Sequence, residues 1–501
     1  MASKVTSISQ AEIAARPEKM DGLLAHRCAS LRPIDFHEWR LAPCLLAAVD
    51  FAAVQTALSV ARRLWTSLAA WWPALHSQAL REGLRAGLLL MPVGYLLAGL
   101  YPGYGVGPVE RLRRRFIAVA LVFGGLFAWD NLVNRSEWSR GIMLLTFALT
   151  LLLSPPLELA VVSLLIRFRR WGTPAVILSS GNAGIALARS LHKRPNLGLV
   201  PVALFKNDSD LWGTTIEGLP VLGPPRIAAG LKGGVNTAVV AMFGLASSEL
   251  ASIVESLPFR RVIVVPELTG LQSLWVTTRD LSGNLALEMR RNLLLRRNYY
   301  TKRLADYAFG LTLFLLSAPV IGLMALWIKR ASPGAAFYAQ EREGRDGEPI
   351  RIWKLRTMYL DADQALEKYL DANPEAREHW QKHFKLQSDP RVIPGVGHLL
   401  RKTSLDELPQ LWNVLRGDMS LVGPRPFPTY HMNSFGEPFR RLRGRVLPGI
   451  TGLWQISERS DGNLDVQEQL DSYYIRNWSP WLDVYILAHT ALAVLSCRGA
   501  Y

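Results

Sequence analysis

Apolar runs separated by polar segments organise the first third of the chain. Residues 1–40 are polar, which predicts a poorly ordered start without a signal peptide. Four apolar stretches follow, at about residues 41–60, 84–100, 116–132 and 141–166. Each approaches the roughly 20 residues that a helix needs to span a bilayer. Asp50 interrupts the first stretch, and Pro155-Pro156 predicts a kink in the fourth or its early end. The pattern predicts a helical membrane bundle at 41–170.

Arginines near the ends of these stretches predict their orientation. Basic residues beside membrane spans are typical of cytosolic loops. Two clusters follow the second and the fourth stretch, at Arg111, Arg113, Arg114 and Arg115 and at Arg167, Arg169 and Arg170. They predict a cytosolic N-terminus, four passes and a cytosolic remainder. A group around the first external loop fits this orientation less well, namely Arg62, Arg63, Arg81 and Arg85.

Strand and helix signals alternate from Pro174 to about Leu271, and they predict a Rossmann-like α/β domain at 171–290. The runs PAVILSS, LVPVALFKND, NTAVVAMF and RRVIVVPEL predict its strands. The turn Gly181-Asn182-Ala183-Gly184 resembles a dinucleotide fingerprint but lacks the full set of glycines. It predicts either a nucleotide site or a structural turn that binds nothing.

A fifth apolar stretch covers about 303–330, and it differs from an ordinary spanning helix. Basic pairs flank both ends, Lys302-Arg303 and Lys329-Arg330. Pro319 lies near the middle, where it disrupts helical hydrogen bonding. An ordinary fifth span would place all that follows outside the cell. We therefore predict a re-entrant helix that enters one leaflet, breaks and returns, with a fifth span as the alternative.

The last part of the chain, at 300–501, predicts a mainly α-helical domain with few strands. Near its end, WSPWLDVYILAHTALAVL predicts a helix that lies in the membrane interface or packs in a core. The predicted fold is therefore mixed: a membrane bundle, a Rossmann-like α/β domain and a mainly α C-terminal domain with a re-entrant helix.

Composition narrows the classes of partner. Half of the residues are hydrophobic, 20% are charged and the net charge is +16. Mean hydropathy is +0.13, so a membrane part and a soluble part are both expected. Anionic lipid and anionic small substrates fit this charge better than nucleic acid, because membrane segments accompany it. The three cysteines have no metal-type spacing and predict neither disulfides nor a zinc site.

The segment RKTSLDELPQLWNVLRGDMSLVGPRP carries the strongest chemical signal. Ser404 and Glu407 have the spacing of a capping box, which predicts a helix that begins near Leu405 and ends at Gly417. Leucines and a tryptophan at helical spacing predict its buried face, at Leu405, Leu408, Leu411, Trp412 and Leu415. Asp406 would then lie in the first turn, where helix geometry favours an ionised carboxylate and binds phosphate. Acidic residues in first turns often only stabilise the helix, so the pair alone does not decide its role.

Three basic residues outside that helix are candidate phosphate ligands. Arg425 lies in the stiff turn Gly-Pro-Arg-Pro, and its planar guanidinium suits a pair of phosphate oxygens. Lys354 and Arg356 lie in the second strand of a predicted hairpin, and their spacing places them on one face. Two cations there suit a pyrophosphate, although a solvated arginine and ordinary strand charges would give the same pattern.

Four segments together resemble one family. They are KRLADYAFGLTLFLLSAP, YAQEREGRDGEPIRIWKLRTM, TSLDELPQLWNVLRGDMSLVGPRP and PGITGLWQI. In this order they resemble bacterial sugar transferases, the polyprenyl-phosphate phosphoglycosyl transferases of the monotopic superfamily. The resemblance covers about Lys302 to the end. The four spans, the phrase LYPGYGVGPVERLRR and the α/β insert resemble the long form, typified by undecaprenyl-phosphate galactose phosphotransferase.

The resemblance implies a two-step transfer. The Asp406 carboxylate would attack the sugar-bearing phosphorus of a UDP-sugar, UMP would leave, and a sugar-phospho-aspartyl intermediate would form. The phosphate of undecaprenyl phosphate would then attack that intermediate. Glu407 would hold Mg²⁺, which neutralises the transferring phosphate. Arg401 and Arg425 match the family's phosphate-side arginines, and Lys354 and Asp483 match other active-site positions.

One departure concerns the membrane helix. The family's helix usually breaks at an adjacent Ser-Pro, whereas here Ala318 separates Ser317 from Pro319. The proline still predicts a break. The resemblance also implies a homodimer in the bacterial inner membrane, with the transferase domain facing the cytosol at the depth of the lipid phosphate.

Other interpretations remain beside this one. The resemblance to the long form favours galactose as the sugar, with glucose next, although no residue indicates a hydroxyl configuration. A membrane scaffold or nucleotide-sensing regulator is the non-enzyme alternative, and the intact acidic pair with Arg401 and Arg425 counts against it. A multi-pass transferase with its site on membrane loops would need acidic pairs at 41–166, and that stretch has none.

Overall fold

A computed structural model describes most of the chain, which divides into two units at Met1–Thr269 and Gly270–Tyr501. The described residues are 41–71, 87–133, 138–230, 235–242, 253–255, 257–265, 276–281, 284–289, 293, 296–360, 362–373, 377, 389, 391–457 and 464–495. The predicted polar segment 1–40 therefore lies outside them.

Four apolar helices begin the first unit. They are α1 Ala42–Trp71, α2 Leu90–Leu97, α3 Pro108–Leu132 and α4 Arg140–Arg167. Helices α1, α3 and α4 are long and apolar enough to cross a membrane. Helix α2 is shorter than the predicted stretch, of which residues 84–86 lie outside the described residues. Helix α4 continues through Pro155-Pro156 to Arg167, so the predicted early end is wrong. Neighbouring helices commonly satisfy the groups that a proline leaves unbonded.

Charged residues are buried between these helices and explain the interruption of the first span. Asp50 is 1% exposed and accepts hydrogen bonds from Tyr101, Ser154 and Arg115. The Arg115 guanidinium also pairs with Glu158 at 2.8 Å. Buried charges are tolerated only when they are paired. Asp50 is therefore compatible with a helix of the bundle, because Arg115 neutralises it there.

A parallel sheet forms the rest of the first unit and confirms the predicted α/β architecture, whereas the predicted bounds of 171–290 stay a prediction. Its elements are β1 Thr173–Ser180, α5 Ala183–Lys193, β2 Leu199–Lys206, β3 Thr215–Ile216, β4 Leu219–Gly223, β5 Thr237–Met242 and β6 Arg261–Val264. The strand order is β3-β4-β2-β1-β5-β6, with β3 antiparallel to β4. Buried β-branched and small residues fill β1 and β5, as expected for strands covered on both faces. Residues 243–252, between β5 and β6, lie outside the described residues.

The second unit begins with a hairpin and a long helix. The elements are β7 Val276–Leu281, β8 Asn284–Met289 and α6 Arg296–Ala331, followed by a second hairpin of β9 Phe337–Glu343 and β10 Pro349–Leu355. Short helices and strands follow: α7 Ala362–Ala372, α8 Val396–Thr403, α9 Gln410–Arg416, β11 Ser420–Val422, α10 Thr429–Met432, α11 Glu437–Gly444, β12 Gly449–Thr451, α12 Leu453–Ser457, α13 Leu464–Asn477 and α14 Pro480–Leu495. The predicted mainly helical character is confirmed for this part.

Helix α6 has 36 residues and continues through Pro319, so the structure gives no interruption at the predicted break. Both of its ends pack on the same domain. Near the start, Arg303 donates to the carbonyl of Met419, and Asp306 accepts from Ser420 and Leu421. Near the end, Ile321 and Ile328 join a core with Leu355, Ile393, Val396 and Leu400. Apolar side chains between the two ends are exposed, among them Leu311, Leu313, Leu315, Leu316 and Val320.

Candidate active site

The acidic pair lies in a 3₁₀ turn, Leu405–Glu407, which precedes α9. Ser404 has a φ of +56° and makes no side-chain cap hydrogen bond, so the predicted capping box is wrong. The reason is local: Ser404 takes the left-handed conformation that ends α8, and its side chain is therefore not in an N-cap geometry. The predicted end at Gly417 is confirmed by its φ of +98°.

The buried face of α9 also differs from the expectation. Leu411, Asn413 and Val414 are buried, whereas Trp412 is 48% exposed. The Trp412 ring lies 6.0 Å from that of Phe314 on α6. Trp412 therefore faces the apolar surface of the long helix rather than the core.

Asn413 joins α9 to the hairpin strand that carries Lys354. Its side chain accepts from the backbone N–H of Trp353 and donates to the carbonyl of Arg351, at 3.1 and 2.7 Å. The residue is fully buried. These two bonds fix the strand against the helix, which sets the distance between Lys354 and the acidic pair.

Lys354 is the centre of the charged cluster. Its Nζ lies 2.8 Å from Oε1 of Glu407 and 4.0 Å from Oδ2 of Asp406. Arg425 Nη2 lies 3.7 Å from the same Glu407 oxygen. Arg401 lies in the last turn of α8, and its charge favours the ionised form of Asp406. The structure thus brings together five of the seven residues that the sequence singles out.

The turn that carries Arg425 is held by two neighbouring strands. Strands β11 and β12 are parallel, and Gly423 follows β11 directly. A Cβ on Gly423 would come within 2.7 Å of the Leu447 carbonyl and 2.8 Å of the Gly449 amide nitrogen. Only glycine fits this close approach of two backbones. The approach places the turn Pro424-Arg425-Pro426 beside the acidic pair.

Arg356 and Asp483 are not part of that cluster. Strand β10 ends at Leu355, and the Arg356 guanidinium donates instead to the carbonyl of Ser332 at 3.0 Å. Asp483 accepts from Lys302, Tyr474 and Trp478 at 2.7 to 3.0 Å. Asp483 therefore anchors the start of α6 to α14. These positions leave the proposed substrate roles of Arg356 and Asp483 untested.

Arg443 is a buried residue near the site that the sequence did not reveal. It donates to the backbone carbonyl of Arg425, and its guanidinium lies 4.5 Å from the centre of the Phe427 ring. Asp471 on α13 pairs with it at 3.4 Å. Arg443 lies in a strongly basic segment, so only the three-dimensional contacts distinguish it from its solvated neighbours.

Burial gives Asp406 an unusual protonation equilibrium. Loss of solvent raises the pKa of its carboxyl group from 3.8 to about 6, and neighbouring Glu407 adds to the rise. The charge of Lys354 opposes this rise without cancelling it. At neutral pH Asp406 is ionised but poorly solvated, which is a suitable state for a nucleophile.

A cleft of about 160 Å³ opens beside the pair. Glu407, Lys354 and Arg425 form its charged end. The remainder is lined by Gln340, Arg342, Ile352, Gln410, Pro426, Phe427, Pro428, His431 and Ile450. A charged end with an extended, partly apolar remainder suits an elongated anionic ligand.

The carboxylates of this site would suit a magnesium ion only if a substrate supplied further oxygen ligands. Mg²⁺ in proteins is usually held by one or two carboxylates together with substrate phosphates and water. Within the described residues, no group of three or more His, Cys, Asp or Glu side chains could hold a metal alone. A magnesium ion at this site would therefore bind together with the substrate, and Glu407 would be its protein ligand.

Comparison with known proteins gives the family. The sequence model of the family described as bacterial sugar transferase matches residues 297–497, and a CoA-binding domain model matches 97–231. The chain is 33% identical to the UDP-galactose-lipid carrier transferase of Erwinia amylovora, over 76% of this chain and 80% of the relative.

Two further relatives cover most of the chain. The undecaprenyl-phosphate galactose phosphotransferase of Salmonella typhimurium is 33% identical over 73% of this chain and 77% of its own length. The UDP-glucose:undecaprenyl-phosphate glucose-1-phosphate transferase of Escherichia coli is 30% identical over 64% of this chain and 67% of its own length. The chain therefore belongs to the bacterial sugar transferase family.

Proposed function

We propose that this phosphotransferase moves a sugar 1-phosphate, foremost galactose 1-phosphate, from a UDP-sugar to undecaprenyl phosphate and releases UMP. The observation that carries the proposal is the Asp406–Glu407 pair with Lys354 and Arg425 directed at it. Relatives named for galactose match more of the chain than the relative named for glucose. Glucose 1-phosphate is therefore the second candidate for the same site.

In this mechanism, an oxygen of the Asp406 carboxylate attacks the sugar-bearing phosphorus. The bond to UMP breaks, UMP leaves with the electron pair, and the sugar phosphate stays on Asp406. An oxygen of the lipid phosphate then attacks that phosphorus and frees the carboxylate. Lys354, Arg401 and Arg425 would orient the phosphates and oppose their charge. A magnesium ion held by Glu407 would supply further charge neutralisation.

The acceptor explains why the site accompanies an exposed apolar helix. Undecaprenyl phosphate is confined to the membrane, with its phosphate at the surface. Helix α6 presents a long exposed apolar surface, while its first turns contact β11, next to the Arg425 turn. This surface supports a site held at the depth of the lipid phosphate. Location in a bacterial inner membrane, a cytosol-facing site and a role in starting exopolysaccharide or O-antigen assembly complete the proposal.

Re-entry of α6 is part of this proposal, and it predicts that both helix ends face the cytosol. The support is that Arg303 and Ile328 both pack on the same domain. We expect single cysteines at Thr301 and Ala331, both exposed, to react with an impermeant maleimide only in inverted vesicles. The three native cysteines would first be replaced by serine.

Labelling of either cysteine in intact spheroplasts would instead establish a spanning helix. A cysteine at exposed Ser190, in the α/β domain that precedes α6, serves as the cytosolic reference, because its side of the membrane does not depend on whether α6 spans. A homodimer remains the expectation for the assembly, and light scattering of the detergent-solubilised protein would test it.

The proposed reaction is tested most directly without the lipid. The purified protein is incubated with Mg²⁺ and UDP-galactose labelled in the sugar, then with UDP-glucose, and UMP release and protein-bound label are measured. We expect about one UMP and one label per protein, and release of the label when undecaprenyl phosphate is added. Absence of label and of lipid-dependent turnover with every UDP-sugar would favour the regulator alternative.

A further inference from the structure

One face of the β9–β10 hairpin forms the floor of the cleft beyond the acidic pair. In the antiparallel register, Gln340 lies opposite Ile352 and Arg342 lies opposite Ile350. Opposed residues share a face with their second neighbours along each strand, so this face also carries Lys354. Arg342 lies about 13 Å along the hairpin from Lys354, at 3.3 Å per residue. The cleft therefore extends well past the phosphate-binding cluster.

Gln410 of α9 also lines the cleft, and its amide has no partner among the described residues. The residue is 4% exposed and lines the cleft. In the part of the chain that the structure describes, its side chain makes no hydrogen bond. An amide that lines a cleft and has no protein partner is available to bond with a ligand. Gln410 thus provides one donor group and one acceptor inside the cleft.

Gln340 on the floor offers a second amide. Its Oε1 accepts from Arg342 Nη2 at 2.5 Å. This bond holds the oxygen toward Arg342 and leaves the two N–H donors without a partner among the described residues. The lining of the cleft therefore contains two amide groups, one from α9 and one from the hairpin, together with apolar surface from Ile352, Ile450 and Pro428.

The part of the cleft that is lined by Gln410, Gln340, Ile352 and Ile450 is called the nucleotide arm. We propose that the nucleotide arm binds the nucleotide leaving group, with the edge of its pyrimidine base between Gln410 and Gln340. The inference rests on the proposed function and identifies the part of the donor that leaves. A pyrimidine base is flat and apolar on its faces, which suits Ile352 and Ile450. Its edge carries a hydrogen-bond donor next to an acceptor. A glutamine amide can bond to both, because it offers a carbonyl oxygen and N–H groups. A hexose, in contrast, presents hydroxyl groups around its whole rim.

The test separates binding of the leaving group from binding of the sugar. Gln410→Met and Gln340→Met remove the amides and keep the length of the side chains, and Gln364→Met on the exposed surface of α7 is the matched control. Equilibrium dialysis with labelled UMP is expected to show about tenfold weaker binding for each site variant. The preference for UMP over AMP should fall in both. The control should bind as the wild type does.

A second measurement follows the protein after UMP has left. Wild-type and variant proteins are loaded with labelled sugar phosphate, freed of nucleotide and mixed with undecaprenyl phosphate. We expect the rate of transfer to the lipid to be unchanged, because the arm is then empty. Unchanged UMP binding with an altered ratio of galactose to glucose transfer would overturn the proposal, since the amides would then contact the sugar.

The two proposals fail in different ways. If the protein binds UMP through these amides but no UDP-sugar ever labels it, the nucleotide arm stands and the transfer reaction falls. If the protein is labelled normally and UMP binding does not depend on either amide, the arm falls and the reaction stands. Gln340 is half-buried, so its variant remains informative if the Gln410 variant does not fold.

Discussion

Replacement of Asp406 by asparagine is expected to abolish sugar phosphate transfer and to raise the thermal stability of the protein. The amide cannot form the acyl phosphate bond, so turnover should fall by at least about a thousandfold. Stability should rise because the folded protein holds the Asp406 carboxylate in a poorly solvated position. The shift of its pKa from 3.8 to about 6 corresponds to at most about 3 kcal/mol.

The pH dependence distinguishes this cause of stabilisation. A carboxyl group whose pKa is higher in the folded state stabilises that state at low pH, below the unfolded value. The contribution is lost as the pH rises through the folded value of about 6. The difference in Tm between variant and wild type should therefore be largest above pH 7 and disappear near pH 4. Differential scanning fluorimetry without nucleotide or magnesium measures it.

A surface variant and the lipid reaction complete this test. Asp371→Asn changes a carboxylate that is 69% exposed, so it should leave turnover and Tm nearly unchanged. Turnover of the wild type should decline as the pH falls through about 6, because Asp406 becomes protonated. A variant that keeps substantial turnover, or whose Tm gain is independent of pH, would remove Asp406 from the proposed role.

The parts of the site that the sequence predicts are those encoded by neighbouring residues. Asp406 and Glu407 are adjacent in the sequence, and two prolines and Gly423 set the backbone around Arg425. These predictions therefore do not depend on where the surrounding helix begins. The alternation of side chains along one strand predicts the position of Lys354. The same alternation wrongly groups Arg356 with Lys354. The strand ends at Leu355, and side chains no longer alternate between two faces beyond that residue.

Other features depend on contacts between residues far apart in the chain. Asn413 fastens a helix to a strand some 60 residues earlier, and nothing in its immediate sequence indicates this. Trp412 fits the apolar helix pattern but faces Phe314 of α6 rather than the core. Ser404 satisfies the capping spacing, yet the end of the preceding helix decides its conformation. In each case, contacts with a neighbouring element override the structural preference of the local sequence.

Arg443→Met should lower both the stability and the activity, and a second substitution should separate the two effects. Asp471 is 2% exposed, and burial already raises the pKa of its carboxyl group to about 6. Without Arg443, the carboxylate is buried with no counter-charge, a situation that typically costs about 3–5 kcal/mol. Asp471→Asn added to Arg443→Met removes that charge. The double variant should therefore regain most of the lost Tm.

Activity should not return with the stability, because Arg443 also positions the Arg425 turn. Its guanidinium donates to the Arg425 carbonyl and covers one face of Phe427, which lines the cleft. A displacement of about 1 Å in a group that orients substrate can lower a rate about a hundredfold. We expect the double variant to be about as stable as the wild type but 10- to 100-fold slower in transfer, by the positioning argument.

The control lies on the same helix. Arg441 is 74% exposed and pairs with Glu437 at the surface, so Arg441→Met should change neither Tm nor turnover appreciably. Full recovery of turnover in the Arg443→Met/Asp471→Asn variant would show that the buried pair serves stability alone. A stable but slow double variant would show that the arginine determines where Arg425 meets the phosphate. The fold would then contribute to catalysis through a residue that never contacts the substrate.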